Sequence, residues 1–245
     1  MSTSVPKREL REQRRAERRA AEAAEAARAS RRRRLGMLGG AAALAAILVA
    51  VAAIVSSGGA AAPKIKPVGS SPLAGIPERN GVLGDPDAKV TVTEFLDLQC
   101  AICAEASEQT LPTLINDYVR TGKVKLEART LHFLGPDSSR AARAAAAAQQ
   151  QGKLWRFVEA FYAAQGPENS GYVTDDFLRD VAAAAGADPD KVVDGTSDRG
   201  MARADREAAK LGVNSTPTFT VTKSGKTTVI GSGVLDAAAL EAALR

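Results

Sequence analysis

Residues 35–55 (LGMLGGAAALAAILVAVAAIV) form one unbroken apolar run of 21 residues without charge or proline. A helix of that length rises about 31 Å, close to the roughly 30 Å hydrocarbon core of a bilayer. After it, residues 56–78 mix Ser, Gly, Ala and Pro with no helical or strand period and read as a flexible linker. Residues 90–95 are β-branched and alternating, behind the turn cluster Gly84-Asp85-Pro86-Asp87, and predict a strand. Leu111, Leu114, Ile115 and Tyr118 then recur at helical spacing, so a helix is expected over about 101–119, kinked at Pro112 and ended by Gly122.

A second strand is expected over residues 124–133. From about residue 137 to 212 the chain is Ala-rich and helical, with the stripe Leu154, Phe157, Val158, Phe161; Thr174 and Asp188-Pro189 start helices and Gly212 stops one. Residues 218–222 and 227–230 flank Lys223-Ser224-Gly225-Lys226, a hairpin, and residues 236–244 close the chain as a helix. Strand, helix, strand, helical block, hairpin, helix is an α/β pattern. The opening βαβ unit implies a parallel strand pair, and the hairpin makes the sheet mixed.

Charge changes the picture at the N-terminus. Residues 1–34 hold 12 basic and 5 acidic residues, whereas the rest holds 21 basic and 23 acidic. All the net positive charge is therefore in the tail, and the body is not expected to bind nucleic acid. Arg31–Arg34 abut the apolar run, which places a basic tail (1–34) in the cytoplasm, a transmembrane helix at 35–55, and the folded domain (79–245) outside. A cleaved signal peptide is the alternative, given the small residues Ala60, Ala61 and Ala62, but signal cores run to roughly 15 residues and this one is longer.

The chain has 245 residues but only two cysteines and one histidine, too few for a four-ligand structural metal site, so no metal and no cofactor are expected. Both cysteines fall in Cys100-Ala101-Ile102-Cys103, between the first strand and first helix. Residues at i and i+3 share a helix face, so the sulfurs can meet. At a helix N-terminus Cys100 would gain thiolate character, and Cys103 could resolve a mixed disulfide. A purely structural bridge is the alternative, but a loop this short stabilises little.

Three further positions are candidates. In Thr216-Pro217-Thr218-Phe219 a proline opens a strand, where a cis peptide is useful. Glu94 alternates with Val90 and Val92, so it either lies on an apolar face with a raised pKa or reaches solvent at the strand end. His132, Trp155 and Tyr162 read as structural, with groove lining the alternative for the two aromatics.

Together the Cys pair, Glu94 and Thr216-Pro217 carry a family resemblance. The stretch from Gly84 to Arg245 resembles the DsbA-like branch of the thioredoxin superfamily, in its membrane-anchored bacterial form. The matching residues are Gly84-Asp85-Pro86-Asp87-Ala88; Glu94-Phe95-Leu96-Asp97-Leu98-Gln99-Cys100 with Cys103; Phe133-Leu134-Gly135-Pro136; Gln151-Gly152-Lys153-Leu154-Trp155; Glu168-Asn169-Ser170-Gly171; and Thr216-Pro217-Thr218-Phe219.

The resemblance implies a thioredoxin-like fold with an inserted helical domain (about 137–212). It implies Cys100 as exposed nucleophile and Cys103 as buried partner of a redox-active disulfide, Glu94 as the buried acid, Thr216-Pro217 as a cis-proline loop pairing with substrate, and Ala101 and Ile102 beside it. The expected function is an extracytoplasmic, membrane-tethered thiol–disulfide oxidoreductase. It would introduce disulfides into unfolded or reduced secreted proteins and be reoxidised by a quinone-linked membrane partner, DsbB-like or vitamin K epoxide reductase-like. Strong oxidants of this family carry Pro-His or Pro-aromatic between the cysteines. Ala101-Ile102 therefore predicts a milder depression of the Cys100 pKa and leaves a reductase or isomerase, or a non-catalytic binding module, as the other readings.

Overall fold

The computed structural model describes residues 71–195 and 199–245. The basic tail, the apolar segment 35–55 and the linker up to residue 70 lie outside the described residues; no described helix is long and apolar enough to cross a membrane.

Among the described residues six strands form one mixed sheet: β1 (Glu78–Arg79), β2 (Val82–Leu83), β3 (Val90–Leu96), β4 (Val124–Thr130), β5 (Thr218–Lys223) and β6 (Lys226–Ser232), in the order β1-β2-β4-β3-β5-β6. The central pair β3–β4 is parallel, with Glu94 opposite Ala128; β5 joins β3 antiparallel, with Glu94 opposite Phe219. The turn Ser224-Gly225 has both φ angles positive, the conformation that suits the twist of a two-residue hairpin.

The helices are α1 (Ala101–Gln109), α2 (Leu111–Leu114), α3 (Pro136–Gln150), α4 (Leu154–Ala163), α5 (Asp175–Ala185), α6 (Pro189–Val193), α7 (Arg199–Leu211) and α8 (Ala237–Leu244). Thr174 caps α5 through the amide of Phe177, and Asp188 caps α6. Strand alternation sorts the core into two parts. Val92, Leu96, Leu126, Phe219 and Val221 join the helical block in the main cluster, whereas Phe95 and Leu131 meet Ala204 and Ala208 of α7 in a smaller one. Phe161 anchors the main cluster in edge-on contact with Phe177, their ring centroids 5.2 Å apart.

Three expectations need correction. The helix over 101–119 is broken at Thr110: Pro112 sits in the first turn of α2, where its missing N–H costs nothing, and a π-helical turn (Ile115–Val119) follows. The second strand ends at Thr130, short of Phe133. The linker does not extend to residue 78. Leu73 is buried in the main core, Ser71 donates a hydrogen bond to Glu159 at 2.6 Å, and Arg120 holds the carbonyls of Pro72 and Ala74.

Candidate active site

The site is built where β3 ends. Asp97, Leu98 and Gln99 make a tight turn: the Asp97 carboxylate accepts the Gln99 amide at 2.9 Å and its carbonyl accepts the Cys100 amide at 3.0 Å. That turn leaves Cys100 as the N-cap of α1 in extended geometry. Its carbonyl takes the amides of Cys103 and Ala104, at 3.1 and 3.3 Å.

Both cysteines are free thiols. The structure differs from the expectation of an exposed nucleophile. Cys100 is only 8% exposed, because the loop before β5 covers it; Cys103 is fully buried. The Cys100 thiol donates to the carbonyl oxygen of Thr216 at 3.3 Å, and the Thr216–Pro217 peptide is cis. Ala101 is exposed and Ile102 is 46% exposed, so both dipeptide residues face solvent rather than the core.

The electrostatics separate the two thiols. A hydrogen bond from the Cys103 side chain holds the Cys100 thiol down at about 6, against desolvation that raises it; the Thr216 hydroxyl and the amides of Cys103 and Ile102 act in the same lowering direction. Burial pushes Cys103 well up, and its bond to Cys100 adds to that. Such a pair has one ready thiolate and one sulfur that stays protonated until the first has reacted.

Glu94 is completely buried on the apolar face of β3. Among the described residues neither of its carboxylate oxygens has a hydrogen-bond partner. Burial raises its pKa to about 8, with the Cys100 charge adding to the effect. Near neutral pH the group is mostly the protonated acid.

The two aromatic candidates separate. Trp155 lies in the core beneath the β1–β2 hairpin and donates its indole N–H to the Gly81 carbonyl at 3.1 Å. Tyr162 belongs to the site: its hydroxyl donates to the Asp97 carbonyl at 3.2 Å, and its pKa is raised by burial first and then by the charges of Cys103 and Glu94. His132 stands apart, 3.2 Å from Asp205 of α7.

Sequence reasoning missed the polar frame. Gln165 donates to the carbonyls of Leu98 and Cys100, at 2.8 and 3.3 Å. Gln99 donates to Tyr172 and accepts the Asn169 amide, each at 2.8 Å. The inserted helices are thereby bolted to the Cys100 turn. The readable signal was Asp97, an Asp two residues before a polar residue and three before a helix cap, the pattern of an Asx turn.

Gly135 shows how close the frame comes. With φ +105° it opens α3, and a Cβ there would lie 2.5 Å from the Asn169 side chain.

A family model described as thioredoxin matches residues 78–228. A probable disulfide bond formation protein D of Bacillus cereus is 36% identical over 98 residues, which is 39% of this chain and 45% of the relative. The chain thus spans under half the length of that curated relative. The crystal structure of oxidised BdbD from Bacillus subtilis superposes with TM-score 0.60 at 25% identity, covering 67% of this chain and 90% of that one. A thioredoxin-like oxidoreductase from Silicibacter pomeroyi gives 0.55 at 30% identity, covering 66% and 88%. With the fold, the paired cysteines and the cis-proline loop already described, the chain belongs to the thioredoxin family.

Proposed function

We propose that this protein is an extracytoplasmic, membrane-tethered enzyme that introduces disulfides into reduced or unfolded secreted proteins through Cys100 and Cys103. The observation that carries the reading is the asymmetry of the two sulfurs: Cys100 held at about 6 at the start of α1, against Thr216, and Cys103 fully buried, its pKa raised by burial and by the Glu94 charge. The name of the Bacillus cereus relative, a disulfide bond formation protein, points the same way.

In the oxidised enzyme a substrate thiolate attacks the sulfur of Cys100. The Cys100–Cys103 bond breaks, a mixed disulfide forms on Cys100, and Cys103 leaves as a thiolate that takes up a proton, with Glu94 the adjacent buried acid able to supply it. A second substrate thiolate then attacks the substrate sulfur of the mixed disulfide, and Cys100 leaves as the more stable thiolate. Two electrons have passed to the enzyme and the substrate carries one new disulfide. A quinone-linked membrane partner, DsbB-like or vitamin K epoxide reductase-like, takes those electrons back. The apolar residues 35–55 and the basic residues before them would hold the domain beside that partner, outside the cytoplasm where disulfides persist. Thr216 and Pro217 would pair with the substrate backbone, while Ala101 and Ile102 face it from α1.

One observation favours a second reading. A Cys100 pKa of about 6 lies nearer the ~7 of thioredoxin than the ~3.5 of the strongest oxidant, which suits a reductase or isomerase.

The experiment is single-turnover oxidation of a reduced, unfolded disulfide protein by the oxidised full chain. The reading expects substrate thiols to disappear with parent protein and not with Cys100→Ser. Equal substrate capture without thiol loss in both would instead describe a binding module.

A further inference from the structure

Asp97 is fully buried beside the two thiols, yet the exchange steps make no direct use of it. Its Oδ1 accepts the Gln99 amide at 2.9 Å, and its Oδ2 accepts the Ser138 hydroxyl at 2.7 Å and the Leu134 amide at 3.4 Å. Its carbonyl accepts the Cys100 amide at 3.0 Å and the Tyr162 hydroxyl at 3.2 Å. One residue thus joins β3, the first turn of α1, the segment entering α3, and α4. A buried carboxylate satisfied this fully is specific, because any replacement leaves buried donors unpaired.

We propose that Asp97 is a positioning residue of the redox centre: its carboxylate and carbonyl fix the turn that sets the Cys100 sulfur against the amides opening α1 and against Thr216. The inference rests on the reading of Cys100 as the sulfur that exchanges with substrate. It assigns the low thiol pKa to geometry held from behind, since Ala101 and Ile102 supply no charge between the cysteines. The groups facing Cys100 are Cys103 on α1, Glu94 on β3, Tyr162 on α4 and the Thr216 hydroxyl; of these, only the Thr216 hydroxyl and the Cys103 thiol favour the thiolate.

The test is the pH dependence of iodoacetamide alkylation of Cys100 in the reduced full chain. Asp97→Asn keeps an oxygen for the Gln99 amide but turns an NH2 group toward Ser138 and Leu134. Ser138→Ala removes one of those two donors and leaves the carboxylate. Asp97→Asn is expected to raise the midpoint from about 6 by roughly one pH unit, a tenfold loss of thiolate well below the midpoint, and Ser138→Ala to raise it less. Unchanged midpoints with a lowered thermal transition would make Asp97 a scaffold residue and overturn the inference. A lowered midpoint would overturn it too, by showing that its negative charge dominates. If Asp97→Asn does not fold, Ser138→Ala alone decides by the same criterion. A parent midpoint near 8.5 would overturn the inference and the reading of Cys100 together.

Discussion

The sulfur of Cys100 lies 3.3 Å from the carbonyl oxygen of Thr216, across the cleft between α1 and the cis-proline loop. The loop therefore covers the sulfur that exchanges with substrate, and an incoming chain must pass beside that loop to reach it. Cys103 lies behind, out of reach of a substrate. Cys103→Ser should consequently trap a disulfide-bonded substrate, whose S–S bond the Cys100 thiolate attacks, as a stable mixed disulfide on Cys100, visible on a non-reducing gel and released by reductant. Cys100→Ser should trap none.

Glu94 gives stability a pH dependence of known sign. Its folded pKa of about 8 exceeds the unfolded 4.5, so between these values the folded chain binds the proton and the unfolded chain does not. Stability contributed by this group therefore falls as pH rises from about 4.5 to 8. Thermal melts of the oxidised protein should show that fall, and Glu94→Gln should flatten it and raise stability at pH 8. In the reduced protein Cys100 acts oppositely: its folded pKa of about 6 lies below the unfolded 9, so its contribution grows as pH rises through that window. Reduced and oxidised melts should diverge in favour of the reduced form between those values.

Ile102 is nearly half exposed at the start of α1, so a polar residue there disturbs little packing. Ile102→His places an imidazole beside the thiolate. The Cys100 alkylation midpoint is expected to drop below about 6, and the reduction potential to move in the oxidising direction.

Phe161 is fully buried between α4 and α5 and stacks edge-on against Phe177. Phe161→Ala should cost about 3–5 kcal/mol in chemical denaturation. Because α4 also carries Tyr162 and leads to Gln165, the variant is expected to slow substrate oxidation as well.

The parallel β3–β4 pair, the late hairpin and the helical block were readable because period-2 and period-3.6 patterns there were long and cleanly capped, as at Thr174 and Gly212. The β1–β2 hairpin was not. Its strands have two residues each, too short for alternation, although Asn80-Gly81 is a strong hairpin dipeptide and adopts positive φ at both positions. The break at Thr110 was half legible: Pro112 marked the place but not the π-helical turn beyond it. At the site, Cys100, Cys103 and Pro217 stood out by residue type and spacing. Gln99, Gln165 and the Tyr162 hydroxyl did not, because their role comes from bonds to chain between 65 and 73 residues away, which no local pattern encodes.

The most direct test of the central claim is the reduction potential of the Cys100–Cys103 pair in the full chain, equilibrated in glutathione buffers. A disulfide donor should give a value closer to the roughly −120 mV of a strong oxidant than to the roughly −270 mV of thioredoxin. A value at or below about −270 mV would contradict the account and make the protein a reductase.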